Sequence, residues 1–301
     1  MADTRATMAT DIDWRYTTKT FKAVGHVFCF RSTDPELGQF LDDLYEPCAV
    51  KMEPQTWYSI IQLAPDSSEY TLFMDEERLL RLNRRSWVVR QLTWQINQEV
   101  IRRSSDHVLL HAAAAAHNGS AVLLPGAPEA GKTTLVAGLV RAGFDYLTDE
   151  AAAIDPRSLL VEPYAKPLSI DPGSWLVLAE LAPGGAESAA YLHEGQWHVN
   201  PGRIRPDAVS GRAPISMIAF PRFVAGAPAR IERLRRSEAL AKLLRHTFRF
   251  RDCPRRNFDV LARVVDQADC YELTSGDLHE ACQLVTQAVD GTSEQSKERG
   301  P

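Results

Sequence analysis

Cysteine is scarce and scattered in this sequence. The five thiols, Cys29, Cys48, Cys253, Cys270 and Cys282, are odd in number and include no Cys-x-x-Cys pair, which argues against a disulfide framework or a cysteine-held structural zinc. They are expected to pack as small hydrophobes. Long apolar runs are missing too: none approaches the roughly 20 residues that span a bilayer, so no membrane partner is expected. Positive charge is not in excess, and a formal net charge of -5 offers no general attraction to nucleic acid. The opening MADTRATMATDIDW lacks the apolar core of a secretory signal, which makes cytoplasm the expected compartment. No segment repeats.

What is present is the composition of a globular protein. With 301 residues, 45% hydrophobic and 24% charged, the chain can hold one large domain or two ordinary ones around a sizeable core. Its most informative stretch runs from His111 to Glu150. There Gly126-Ala127-Pro128-Glu129-Ala130-Gly131-Lys132-Thr133 fits G-x-x-x-x-G-K-[ST], the phosphate-cradling loop of nucleotide-binding proteins, with Thr134 next. Ala121–Leu124 reads as a buried strand entering the loop, and Leu135, Leu139 and Val140 give helical spacing after it, with Gly143 as the stop. Glycines let successive N–H groups converge on phosphate oxygens, and the helix N-terminus adds partial positive charge. Lys132 is expected to reach the β- and γ-phosphates and the Thr133 hydroxyl to hold Mg²⁺.

Phe144–Glu150 reads as a short strand ending in two acids, Asp149 and Glu150, one strand–helix unit after the loop. That spacing suits carboxylates facing a γ-phosphate and Mg²⁺, although adjacent acids are also common at solvated strand ends. Before the loop, Ala112–Ala116 has helical propensity but is too short to form a helix alone. His111–His117, Asn118-Gly119 and Ser120–Leu124 together predict a hairpin with Asn-Gly at its turn.

Elsewhere the reading is coarser. Residues 1–13 are expected to be disordered. Residues 14–104 form a small α+β domain, with strands within Tyr16–Phe30, a helix capped by Asp34 and Pro35, strands at Trp57–Leu63 and Tyr70–Met74, and a long helix from about Glu77 to Arg103. This domain either recognises a partner or covers the nucleotide domain. The second domain spans residues 105–290, and residues 291–301 form a frayed tail. Residues 183–207 are Gly- and Pro-rich and suggest loops near a site. Arg203 and Arg205 there either stabilise charge on a transferring phosphoryl group or are ordinary surface arginines. Ile215–Phe223 is a buried strand that Pro221 is expected to limit, with helices following at Ser237–Leu244, Phe258–Val265 and Asp277–Val289 and a strand at Cys270–Leu273. The basic segment from Arg230 to Arg256 either docks an anionic partner or is a solvated helix face. It lacks the aromatic interleaving of a single-strand nucleic-acid binder.

The order of His111, the loop at 126–134 and Asp149-Glu150 resembles the catalytic domain of HPr kinase/phosphorylase and its kinase-like relatives. Lys166-Pro167-Leu168-Ser169, Ala219–Phe223 and Tyr271-Glu272-Leu273 are further points of similarity, which extends over roughly residues 105–290. The first 104 residues resemble the accessory domain of short relatives that include kinases of lasso-peptide precursors. The resemblance implies an α/β P-loop kinase domain of the HPr kinase and phosphoenolpyruvate carboxykinase type, preceded by the small α+β domain. It also implies ATP- and Mg²⁺-dependent phosphorylation of a hydroxyl. On that basis Lys132 holds phosphates, Thr133 holds Mg²⁺, Asp149 and Glu150 divide the roles of base and metal ligand, and His111 sits beside the γ-phosphate. A homo-oligomer follows from the resemblance alone. The Glu-x-Arg-Gly-x-Gly run of that family is absent, with Gly202-Arg203-Ile204-Arg205 nearest to it, which argues against HPr as acceptor and against the phosphorylase reaction. The second acid is Glu150 where the family has Asp.

The expected activity is therefore a kinase acting on serine of a ribosomally made peptide. A kinase for a small molecule such as free serine keeps the same site. A nucleotide-binding scaffold would need the loop but not Asp149, Glu150 and His111.

Overall fold

The computed structural model describes residues 12–65, 67–184 and 195–298; residues 1–11, 66, 185–194 and 299–301, which include most of the expected disordered start, part of the Gly- and Pro-rich loop and the end of the tail, lie outside the described residues. Strand-forming residues of the first third build one sheet. Its members are β1 (Tyr16–Thr17), β2 (Thr20–Ala23), β3 (His26–Ser32), β4 (Ala49–Val50), β5 (Thr56–Gln62), β6 (Tyr70–Met74) and β7 (Glu77–Leu82). They are ordered β4-β2-β3-β5-β6-β7, with β1 on β3. Between β3 and β4, α1 (Pro35–Leu44) starts as its sequence predicts: the Asp34 carboxylate accepts from Leu37 N at 3.2 Å and Pro35 opens the first turn. Leu37, Leu41 and Leu44 then face the core.

The long helix expected from Glu77 begins only at Arg85. Residues Glu77–Leu82 form β7, antiparallel to β6 with Leu72 opposite Leu80 and Tyr70 opposite Leu82. Asp75, at φ 54°, makes the reversal between them. Leu79 and Leu82 fit a helical spacing, but a neighbouring strand offers pairing that local propensity cannot outweigh. The helix proper, α2 (Arg85–Arg103), buries Val88, Val89, Leu92, Ile96 and Val100.

The remainder contains β8 (Val108–His117), β9 (Ser120–Pro125), α3 (Lys132–Arg141), β10 (Asp145–Thr148), β11 (Ala151–Ile154), β12 (Leu160–Glu162), β13 (Leu168–Ile170) and β14 (Trp197–Val199). It continues through β15 (Ala213–Phe223), β16 (Arg230–Arg233), α4 (Arg236–Arg245), α5 (Pro254–Gln267), β17 (Asp269–Ser275) and α6 (Leu278–Glu298). The class is α/β, as expected. The predicted hairpin of β8 and β9 forms, with Asn118 at φ 50° and Gly119 at φ 78°. Both angles are positive, as a two-residue turn matching the strand twist requires. β8 pairs with β9, β10 and β11, and β9 runs parallel to β15, which is parallel to β17.

The alanine run is a strand because both its faces are covered. Ala113 and Ala115 join one apolar cluster with α3 and α6, while Ala112, Ala114 and Ala116 join a second with α4 and α5. Small side chains let layers approach from each side. The first cluster also takes in Phe21, Phe28, Tyr58, Leu92 and Ile96, so the boundary near residue 104 separates two sheets but not two cores. β15 runs past Pro221 to Phe223, because beyond Ile218 it has a neighbour on the β17 side and none on the β9 side. α6 continues to Glu298, beyond its expected end at Val289 and into the segment expected to fray. Among the described residues no helix is long and apolar enough to cross a membrane.

Candidate active site

β9 stops at Pro125 and α3 begins at Lys132, so Gly126–Gly131 forms a loop at the end of a buried strand. Gly131 takes φ 88° as the residue preceding the helix, and Glu129 takes φ 64°, a left-handed angle that costs a side-chain-bearing residue about 1–2 kcal/mol. Such strain persists where surrounding structure over-determines it, as at ligand-binding loops. Ala127, Pro128 and Glu129 are exposed, Gly126 is buried, and Ala130, Gly131, Thr133 and Thr134 are half-buried. The first N–H groups of α3 have no partner within the helix and carry its positive end toward the loop.

Lys132 is buried, and its Nζ donates to the carbonyls of Gly126 at 3.0 Å and Ala127 at 2.9 Å. Burial pushes its pKa down, while Glu150 and Asp149 oppose that shift. Both acids therefore act on the lysine. They sit in the corner between β10 and β11, bent by Thr148 Oγ1, which accepts from Glu150 N at 3.2 Å and Ala151 N at 3.3 Å.

The two carboxylates have different surroundings. Asp149 is 1% exposed, and both its oxygens are engaged. Oδ1 faces Lys166 Nζ at 2.6 Å and accepts from Tyr146 OH at 2.9 Å; Oδ2 accepts from Ser169 N at 3.1 Å and Thr133 Oγ1 at 3.3 Å. Glu150 leaves 36% of its side chain open to solvent, and His111 Nε2 lies 3.8 Å from its Oε1. That is a contact, too long for a hydrogen bond. Burial raises the Glu150 pKa, with Asp149 adding to the rise and Lys166 and Lys132 opposing it. His111 is held down to about 4 by burial, then by Lys132 and His246, so it is neutral at pH 7. β8 places it: Ala151 is its partner in register, and its backbone N donates to His246 O at 2.7 Å.

The fold thus brings together His111, Lys132, Thr133, Asp149 and Glu150. Thr134 Oγ1 is hydrogen-bonded to Ser174 Oγ, which ties the first turn of α3 to the segment after β13. The arginines lie elsewhere. Arg205 bonds the carbonyl of Phe144 and pairs with Asp145, at the end of β10 opposite Asp149, and Arg203 is exposed in the turn Pro201–Arg203. The basic segment is spent largely on structure: Lys242 pairs with Glu272 at 2.6 Å, and Arg249 and Arg256 donate to the carbonyls of Arg102 and Ser105 at 2.7 Å and 2.8 Å, capping the end of α2.

Lys166 is the site residue that sequence reasoning passed over. It is fully buried and also donates to Pro167 O at 2.9 Å. In the sequence it appears only within the Lys166-Pro167-Leu168-Ser169 point of similarity, with no role attached; a lysine's need for a counter-charge becomes visible only once its burial is known. Thr133 and the two acids form an all-oxygen donor set, which suits Mg²⁺ and not a thiolate- or imidazole-binding metal. Among the described residues no group of three or more His, Cys, Asp and Glu is arranged to hold a metal, but Mg²⁺ on a nucleotide takes only one or two carboxylates besides the phosphates.

No protein-family model matches the chain, and no curated protein matches it. Its fold is similar, at 15% identity and a TM-score of 0.33, to the Hpr(Ser) kinase/phosphatase from Coxiella burnetii, over 64% of this chain and 99% of that one. A likeness this loose adds no weight to the geometry above.

Proposed function

We propose that the chain is an ATP- and Mg²⁺-dependent phosphotransferase acting on a hydroxyl, with serine of a peptide as acceptor. The observation that carries the reading is the convergence on one loop of unpaired helix N–H groups, the buried Lys132 ammonium and the half-open carboxylate of Glu150. A passive nucleotide binder has no need of that carboxylate. The peptide acceptor comes from the sequence resemblance.

Residues Gly126–Thr134 would cradle the triphosphate through backbone N–H groups, and Lys132 would offset charge on the β- and γ-phosphates. Thr133 Oγ1, whose proton is donated to Asp149, would hold Mg²⁺, which when bound neutralises charge on those phosphates. Glu150 takes the base role because it is the acid open to solvent and its raised pKa makes it a stronger proton acceptor than an ordinary glutamate. The acceptor oxygen bonds to the γ-phosphorus, the bond to the leaving diphosphate breaks, and the hydroxyl proton passes to Glu150. His111, neutral at pH 7, lies 3.8 Å from Glu150 and places no competing charge beside the base. Asp149, pinned by Lys166, Tyr146 and Ser169, orients Thr133.

Incubation with labelled ATP, Mg²⁺, serine peptides and free serine tests the reading. Label is expected on peptide, and Lys132→Ala or Glu150→Gln should lower turnover by about 10²-fold or more, the scale of a lost general base. Label on free serine alone would make the chain a small-molecule kinase. ATP binding with no label on any acceptor would make it a regulatory binder.

A further inference from the structure

We infer that Phe223 is the platform on which the base of the bound nucleotide stacks, an inference that rests on the phosphate-loop reading above. β15 is parallel to β9, with Ile218 opposite Leu123. β9 turns into the loop after Pro125, whereas β15 continues to Phe223 and so overhangs the loop. The overhang reaches the start of α3: a side-chain carbon placed on Gly131 would lie 3.7 Å from Phe223 Cβ.

Phe223 is 62% exposed, and among the described residues no other phenylalanine or tryptophan is as open. An aromatic ring held in water beside a phosphate socket has apolar area to bury and a π-face to offer. Its backbone is fixed. Phe223 is in register with Ser275 on β17, Val224 N donates to Ser275 O at 3.0 Å, and the turn that follows is closed by Ala227 N to Val224 O and Gly276 N to Ala227 O, each 3.0 Å. A platform needs that rigidity.

Direction along the site agrees. Asp149 and Glu150 lie on the β8 side of β9, because β10 and β11 both pair with β8. Phe223 lies on the β15 side. A triphosphate whose outermost phosphate faces Glu150 therefore runs across the end of β9 and delivers its sugar and base toward Phe223. Stacking accepts any base, so the site should hold adenine and guanine nucleotides comparably.

Calorimetric titration of ATP, GTP and inorganic triphosphate, each with Mg²⁺, into the wild type, Phe223→Ala and Phe223→Trp tests this. The wild type should bind ATP and GTP alike, each about ten- to a hundredfold more tightly than triphosphate. Phe223→Ala should bring ATP toward the triphosphate value and leave triphosphate itself unchanged, which also reports that the loop is intact; Phe223→Trp should restore ATP binding. Undiminished ATP binding by Phe223→Ala overturns the inference, as does a change confined to the KM of a peptide acceptor, which would make the ring a peptide contact. A wild type that binds ATP and triphosphate equally overturns stacking and spares the loop reading. A wild type that binds none of the three overturns both.

Discussion

Asp149 and Glu150 are neighbours in sequence with separate work. Four partners saturate the Asp149 carboxylate, and Lys166, its counter-charge, has no exposure to water. Taking a buried pair apart leaves one charge stranded in a low-dielectric interior, a much larger effect than losing an exposed pair. Lys166→Met is therefore expected to lower stability by about 3–5 kcal/mol in urea denaturation. Adding Asp149→Asn to it removes the stranded charge and should recover part of that loss while phosphoryl transfer stays absent. A Lys166→Met protein as stable as wild type would show that the pair contributes nothing in solution. The two acids were legible in the sequence as a pair; which one is saturated was not, because the deciding partners Tyr146, Lys166 and Ser169 are brought in by the corner and by β13.

At the scale of elements, the strand–loop–helix unit of β9 and α3 is the part set by local chemistry. Its signals sit within one short stretch: apolar residues up to Leu124, the glycines, then helical spacing. Gly131 is where that unit is most sensitive. At φ 88° it has space for a methyl group, so Gly131→Ala is opposed by backbone conformation and not by collision. The expected cost is about 1–2 kcal/mol, read as a lower denaturation midpoint, together with weaker ATP binding as the loop N–H groups turn from their common focus. Unchanged stability and affinity in the Gly131→Ala variant would mean that the loop relaxes into a second conformation at no cost. The hairpin of β8 and β9 was equally legible from Asn118-Gly119. β7 was not, because its leucines fit a helix as well as a strand and its partner β6 makes the choice. Phe223 was legible as the last residue of a strand read as buried, but not as an exposed ring beside the loop, because its place over Gly131 follows from the pairing of β15 with β9.

Across the whole molecule, the first sheet and the nucleotide-loop portion share one apolar cluster. Polar ties reinforce it: Tyr164 OH donates to Asn97, Asn200 Nδ2 to Asp43 O at 2.7 Å, and Arg249 Nη1 to Arg102 O at 2.7 Å. Residues 14–104 thus pack against the portion that carries the loop. Such a shared interior predicts joint unfolding. Tryptophans lie in both portions, at Trp14, Trp57, Trp87 and Trp94 and at Trp175 and Trp197, so fluorescence and far-UV dichroism in urea should trace a single coincident transition. Two separated transitions would show independent domains. Where a triphosphate lies relative to Glu150 decides whether loop and acids form one site, and a crystal structure with a non-hydrolysable ATP analogue and Mg²⁺ measures that directly. The β- and γ-phosphates are expected over Gly126–Lys132, with the γ-phosphate facing Glu150 and His111; a γ-phosphate pointing away from both, or a nucleotide bound elsewhere, would contradict it.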